Sequence, residues 1–219
     1  IVNQAWSELN KTMQAQIKKK DTCEAGIDTL FDLRNQLMET LTSFNEELSR
    51  EEFDAIPFIN ADGYHSKTIA YSIWHIFRIE DIVAHTLIGE DEQVFFAGNY
   101  QERINSPIIT TGNELVKEQI ADFSKQLNLK ELYAYIFEVK DSTEKIIDSL
   151  SYDDLKKKIS EERKEYLKSL NVVSNDENAI WLIDYWCGKD IRGLIQMPFS
   201  RHWIMHIEAS QRIKNRIHS

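Results

Sequence analysis

The stretch SKTIAYSIWHIFRIEDIVAHTLI, residues 66–88, decides the fold of this chain. It contains no glycine or proline, and its apolar side chains cover most of the circumference of a helix. A helix that is apolar on nearly all sides belongs in a protein interior, because its exposure to water would cost free energy. Residues 66–88 therefore predict a long buried helix with other helices packed around it.

Apolar residues at intervals of three and four predict further helices on both sides of this stretch. The predicted segments are about 4–19, 22–45, 128–150 and 199–217, with another helix beginning at Thr111. Four of the ten glycine and proline residues lie in residues 89–112, which are too many residues for a tight hairpin. We expect a long crossover there, and an all-α four-helix bundle with extra short helices.

The composition of the 219 residues argues against several other classes of protein. Seven glycines and three prolines are few for β-rich folds, which need many turn residues. Lys and Arg number 26 against 36 Asp and Glu, a net charge of −10 that leaves little basic surface for nucleic acid. No run of 18 apolar residues occurs, so the sequence predicts no membrane span.

The two cysteines, Cys23 and Cys187, lie far apart in the chain. We interpret both as small core residues in a reducing cytoplasm, with a single disulfide as the less favoured alternative. The first residues, IVNQAWSELN, lack the basic-then-apolar layout of a secretion signal. The sequence thus predicts a cytoplasmic location.

One pair of histidines has a spacing with chemical meaning. His202 and His206, in RHWIMHIEA, are four residues apart, so both rings lie on one helix face and reach one ion. Such a pair also occurs by chance on a polar helix face. Here Phe199 and Ile213 share that face, which turns the two imidazoles inward, where unpartnered polar groups are costly.

A third histidine on another helix would complete a metal site. His75 lies on an apolar stripe with Tyr71 and Ile79, and its alternative interpretation is a single hydrogen-bonded core histidine. Three neutral imidazoles from two helices leave a coordination position open, as catalytic metal sites do. Imidazole ligands suit both Zn²⁺ and Ni²⁺.

Other titratable residues fit the site less well. His85 is rotated about 80° from His75 on the helix, so we leave it out. Glu80 and Asp81 lie on other faces, where we expect arginine partners rather than a metal. The stretch WLIDYWCGKD, residues 181–190, contains three candidates to border a pocket: Asp184, Tyr185 and Lys189. The sequence has no Gly-rich phosphate loop, HExxH or Cys-x-x-Cys motif.

Two segments resemble the DinB-like (DinB/YfiT) superfamily. Residues 72–88, SIWHIFRIEDIVAHTLI, are similar to that family's second-helix segment, in which a histidine precedes an Arg-Ile-Glu-Asp-like stretch. Residues 201–213, RHWIMHIEASQRI, resemble its last-helix segment. The resemblance spans about Thr22 to Ile217, leaving residues 1–20 as an N-terminal helical extension, and residues 151–198 are longer than a minimal member needs.

The resemblance implies a single domain over residues 1–219 with up-up-down-down helix order and a divalent metal on His75, His202 and His206. It implies a homodimer. Some relatives use a low-molecular-weight thiol, such as mycothiol or bacillithiol, in isomerase or S-transferase reactions.

Three hypotheses compete at this point. The first is a metal-dependent enzyme of the DinB-like type, with thiol-dependent S-transferase or hydrolase chemistry on a small molecule. The second is a non-catalytic dimeric stress-response module that binds a metal or a small ligand. The third is that the histidines are only hydrogen-bonded core residues. The sequence assigns no catalytic acid or base.

Overall fold

The computed structural model describes residues 2–219, with side chains from Gln4 onward. Helices dominate these residues, which contain no β-strand and only an isolated bridge between Lys158 and Asp190. In chain order the helices are α1 (Val2–Ile17), α2 (Cys23–Glu47), α3 (Arg50–Asp54), α4 (Ile69–Asp81), α5 (Val94–Ala97), α6 (Tyr100–Ile104), α7 (Glu118–Gln126), α8 (Leu129–Asp148), α9 (Glu161–Ser169), α10 (Trp181–Cys187), α11 (Ile191–Gln196) and α12 (His202–Ile217). The all-α prediction is confirmed.

Helix α4 is the centre of the fold, as its sequence predicts. Every residue of Ile69–Asp81 is buried, and the helix packs against α8, α12 and α7. The Thr68 side chain caps its start by accepting a hydrogen bond from the Tyr71 amide at 3.0 Å. Among the helices of residues 2–219, none combines the length and apolarity that crossing a bilayer requires.

The N-terminal segment forms a helical hairpin with the next helix. Helix α1 packs along α2, and a short 3₁₀ turn, Lys20–Thr22, joins them. The two helices approach so closely at Gly26 that a β-carbon there would lie 2.6 Å from Ile17 Cγ2. Trp6 and Met13 are buried against the rest of the molecule, so α1 belongs to the core.

Two helices contain wide π-turns that helical periodicity does not predict. The segment expected over residues 66–88 is α-helical only to Asp81 and continues as a π-helix, Ile82–Gly89. A second π-segment, Met197–Arg201, leads directly into α12. Pro198 has no N–H for a regular turn, and the Ser200 hydroxyl donates to the Ile195 carbonyl at 2.8 Å. The last helix therefore starts at His202 rather than at Phe199.

Two further expectations need correction. The helix predicted from Thr111 begins only at Glu118, because residues 111–117 form a loop in which Lys117 has a positive φ of 50°. Cys187 is half-buried rather than a core residue, since its helix is short and lies at the surface. Cys23 is buried, and both thiols are free.

A buried ion pair joins three parts of the molecule. Arg34 of α2 forms a bidentate contact with Glu80 of α4, at 2.6 and 2.9 Å, and both side chains are fully buried. The Arg34 guanidinium also donates to the Phe199 carbonyl at 2.9 Å and lies 4.1 Å from the Trp203 ring centroid. Trp203 Nε1 donates to Glu80 at 2.9 Å. The entrance to α12 is thereby attached to α2 and α4.

The neighbouring residues of α4 hold the crossover. Arg78 donates two hydrogen bonds to the Ile109 carbonyl, at 3.1 and 2.8 Å. Asp81 accepts from the amides of Val94 and Phe95 at 2.8 and 2.9 Å, and from the Tyr135 hydroxyl at 2.7 Å. Both carboxylates have the predicted arginine partner, Arg34 for Glu80 and Arg78, at 3.8 Å, for Asp81, and Asp81 has the amide and hydroxyl partners in addition.

Arg34→Met is expected to destabilise the fold by about 3–5 kcal/mol, because Glu80 would stay buried with an uncompensated charge. The double variant Arg34→Met/Glu80→Met is expected to be more stable than Arg34→Met alone. Urea unfolding measures both free energies. Arg103→Met, which removes the exposed pair with Glu131, is the control and is expected to cost about 1 kcal/mol or less. A cost below about 1 kcal/mol for Arg34→Met would contradict this account.

Candidate metal centre

Three buried histidines from two helices meet in the core. His75 comes from α4, and His202 and His206 come from successive turns of α12, which packs against α4. One ring nitrogen from each lies within 4.8 Å of the others. The ring centroids are 5.0, 4.9 and 4.5 Å apart, and no ring residue is more than 7% exposed. The three residues singled out by the sequence are thus neighbours in space.

A backbone carbonyl orients the first of these rings. His75 Nδ1 lies 2.7 Å from the carbonyl oxygen of Thr111, so Nδ1 carries the proton and donates it. Nε2 is then unprotonated and has its lone pair free. Hydrogen bonds on both sides hold Thr111 in place. Arg78 donates to the Ile109 carbonyl, two residues earlier, and the Tyr71 hydroxyl donates to the Gly112 carbonyl at 2.8 Å.

Gly112 allows this loop to approach the helix. Its φ is +81°, a conformation that other residues rarely adopt. A β-carbon there would lie 3.0 Å from Tyr71 Cε2, so the aromatic ring leaves almost no room for a side chain. The Tyr71 ring also stacks on His75, with centroids 5.3 Å apart. A glycine at this position therefore lets the loop come close enough to the helix for the Thr111 carbonyl to orient His75.

The other two rings carry buried polar atoms without partners. Nδ1 of His202 and Nδ1 of His206 form no hydrogen bond within the described residues, although both are buried. Buried polar atoms normally have a hydrogen-bond partner, because a buried donor or acceptor without a hydrogen bond costs free energy. The α12 histidines are thus not explained by hydrogen bonding within the core.

Burial keeps all three imidazoles neutral at pH 7. It lowers the pKa of His75 to about 4, with a smaller lowering from Lys67, against the opposite effect of the Thr111 hydrogen bond. Burial, followed by the neighbouring His75, puts the pKa of His202 well below its usual value. His206 shifts the same way, through burial and then His202, His75 and Lys67. Neutral imidazole is the form that binds metals.

The donor set fits a divalent metal ion. Three neutral nitrogen ligands of this kind suit Zn²⁺ and Ni²⁺ and leave a coordination position for another molecule. The orphaned ring nitrogens on α12 and the single hydrogen bond of His75 agree with such a site. His75, His202 and His206 are therefore the residues that would hold the ion.

A cavity of about 390 Å³ opens onto the histidines. Its wall combines the three rings with segments from the α3–α4 connection, α10 and the π-segment before α12. The lining residues are Gly63, Tyr64, Lys67, Tyr71, His75, Ile79, Asn113, Trp181, Leu182, Tyr185, Trp186, Met197, Pro198, His202 and His206. A small molecule can therefore reach the histidine cluster from solvent.

Of the residues expected to border a pocket, only Tyr185 lines this cavity. Asp184 instead pairs with Lys164 at 2.8 Å, and Lys189 lies over the Tyr185 ring at 4.4 Å. His85 is outside the cluster, as predicted: its Nδ1 lies 2.6 Å from Asp91 and its Nε2 lies 2.8 Å from Ser142.

The sequence reasoning missed Lys67 and Tyr64. Lys67 lies before α4, which Thr68 caps, and a separation of eight residues from His75 corresponds to about 80° around a helix, so helical spacing does not predict its place at the site. Tyr64 lies in a loop, with its ring 4.9 Å from that of His206, and no periodicity reports such a contact. The buried wall residue Trp186 belongs to a helix too short to show which side faces the site.

No protein-family model matches the chain, and no curated protein matches it either. The resemblance to the DinB-like superfamily therefore rests on the two segments quoted above.

The metal-free protein is expected to lose stability as the pH falls from about 6.5 toward 4. In this window the unfolded chain binds protons that the folded imidazoles do not, so the free energy of unfolding decreases with decreasing pH. His75 alone should contribute about 2 kcal/mol between pH 7 and pH 5. Urea unfolding of wild type and His75→Gln at both pH values measures this contribution. An equal pH dependence of the two proteins would refute it.

Proposed function

We propose that the protein is a metal-dependent enzyme of the DinB-like type that carries out thiol-dependent S-transfer, with hydrolysis as the alternative reaction. The observation that carries the proposal is the cluster of three buried, neutral histidines at a solvent-reachable cavity. When bound, a Zn²⁺ or Ni²⁺ ion would supply Lewis-acid chemistry that favours the thiolate form of a thiol or lowers the pKa of a water molecule.

The residues around the cluster support a working site rather than a closed structural one. The Thr111 carbonyl fixes the orientation of the His75 ring, so Nε2 is available to a metal ion without a rearrangement of the side chain. Aromatic and apolar side chains form most of the cavity wall, which limits the water that reaches the histidines. The lining contains no carboxylate, so no Asp or Glu of the wall acts as a base.

We also propose that the long helices form the up-up-down-down bundle implied by the resemblance, and that the protein is a homodimer. For the bundle, contacts support the proposal: α4 packs against α8 and α12, α12 packs against α2, and α2 packs against α8. The crossover between α4 and α8 contains the short helices α5, α6 and α7.

The metal content of purified protein tests the site. After expression with zinc and nickel in the medium, wild type is expected to hold about one ion per chain by elemental analysis. His75→Ala and His206→Ala should lose most of it, because two imidazoles bind far more weakly than three. His218→Ala is the matched control: this exposed histidine pairs with Glu52, and its loss should leave the metal content unchanged. Equal and negligible metal in all four proteins would overturn the proposal.

The thiol reaction tests the activity. With 1-chloro-2,4-dinitrobenzene, the thiol sulfur forms a bond to the ring carbon, chloride leaves with the C–Cl electrons, and the thiol proton passes to solvent. We expect the zinc-loaded protein to accelerate this conjugation for bacillithiol-like thiols. Chelation and His206→Ala should both abolish the acceleration. A metal-loaded protein with no rate above background, across thiols and electrophiles, would favour the non-catalytic binding module.

A further inference from the structure

The residues that line the cavity differ in charge from the chain as a whole. The protein carries 36 acidic and 26 basic residues, yet no Asp or Glu lines the cavity. Lys67 is the single Lys, Arg, Asp or Glu residue in its lining. A cavity whose lining has one cationic side chain and no carboxylate favours negatively charged ligands.

Lys67 has no partner for its charge within the described structure. No carboxylate of residues 4–219 lies within 4 Å of its ammonium, which is 5.8 Å from the Tyr71 ring centroid. Burial lowers the pKa of this lysine, because the ammonium has lost part of its contact with water. A partly desolvated cation without a counter-ion gains more from a bound anion than a fully hydrated one.

The part of the cavity wall that α10 forms is aromatic and partly exposed. Helix α10 contributes Trp181 and Tyr185, which are 49% and 37% exposed, together with the buried Leu182 and Trp186. Of the six large apolar side chains that the described structure exposes, three lie close together in residues 180–185. Clustered exposed apolar side chains beside a cavity are typical of a surface that receives a ligand.

We propose that the cavity binds an anion with an apolar, aromatic body, and that Lys67 holds its negative group while α10 contacts the body. This inference deepens the proposed function and rests on it in assigning the cavity as the working site. The Lys67 ammonium lies 5.8 Å from the centroid of the Tyr71 ring, and that ring stacks on His75, so the ammonium lies on the histidine side of the cavity. The anionic group would therefore lie beside the histidines, and the apolar body would point toward α10.

Two probes of similar shape, one anionic and one neutral, test this assignment: 2-naphthoate and its amide, 2-naphthamide. Calorimetric titrations use the full chain after chelation, so that no metal contributes to binding. Wild type is expected to bind the carboxylate about tenfold more tightly than the amide, as one charge-assisted contact allows. Lys67→Met should abolish this preference, and Lys67→Arg should retain it.

Two further variants separate charge from contact area. Lys156→Met removes a lysine that also lies over a tyrosine ring, 4.4 Å from that of Tyr152, but outside the cavity lining, and should leave the preference unchanged. Trp181→Ala should weaken both probes to a similar extent. Thermal unfolding of each variant confirms that the fold is intact.

Equal affinities of wild type for the two probes, a preference that survives Lys67→Met, or no binding of either probe at millimolar concentration would each overturn the inference. Repeating the titrations with zinc distinguishes the two proposals. A Lys67-dependent preference in a protein that takes up no metal would leave the anion site standing and remove the metal-dependent enzyme.

Discussion

The buried pair between Arg34 and Glu80 is the interaction on which the rest of the structure depends. Burial alone would lower the pKa of Arg34, but Glu80 and Glu144 beside it raise the pKa, so the guanidinium stays charged. Removing two charges from water costs free energy. The hydrogen bonds from the guanidinium to Glu80 and to the Phe199 carbonyl, and its contact with the Trp203 ring, offset that cost. Arg34 also donates a hydrogen bond to the Phe199 carbonyl, just before α12, and Glu80 accepts one from the Trp203 indole. The pair therefore sets where α12 begins relative to α4.

The same short segment of α4 explains how the three histidines are positioned. Arg78 anchors the crossover at Ile109, and the crossover then presents the Thr111 carbonyl to His75. Glu80, two residues on, orients the helix that carries His202 and His206. The Arg-Ile-Glu-Asp stretch therefore positions both halves of the site, although none of its three charged side chains lines the cavity. This gives a physical reason for charged residues in the most buried helix of the protein.

Sequence reasoning predicts the helices and the three histidines because both depend on local spacing. Breaker scarcity and apolar periodicity predict α2, α8 and α12 to within three residues, and they predict α4 together with the π-segment that follows it. The i, i+4 spacing of His202 and His206 needs only a regular helix. The misses have a different origin: the π-turns at Ile82–Gly89 and Met197–Arg201, and the loop at residues 111–117, are set by tertiary contacts. Lys67 and the α10 wall become neighbours of the histidines only through packing of distant segments.

In the proposed site, three imidazoles hold one divalent ion. Anomalous diffraction at the zinc edge, from crystals of the zinc-loaded protein, tests it most directly. One strong peak is expected at about 2.0–2.1 Å from a ring nitrogen of each of His75, His202 and His206. A peak elsewhere in the molecule, or one bound by fewer than these three rings, would contradict it.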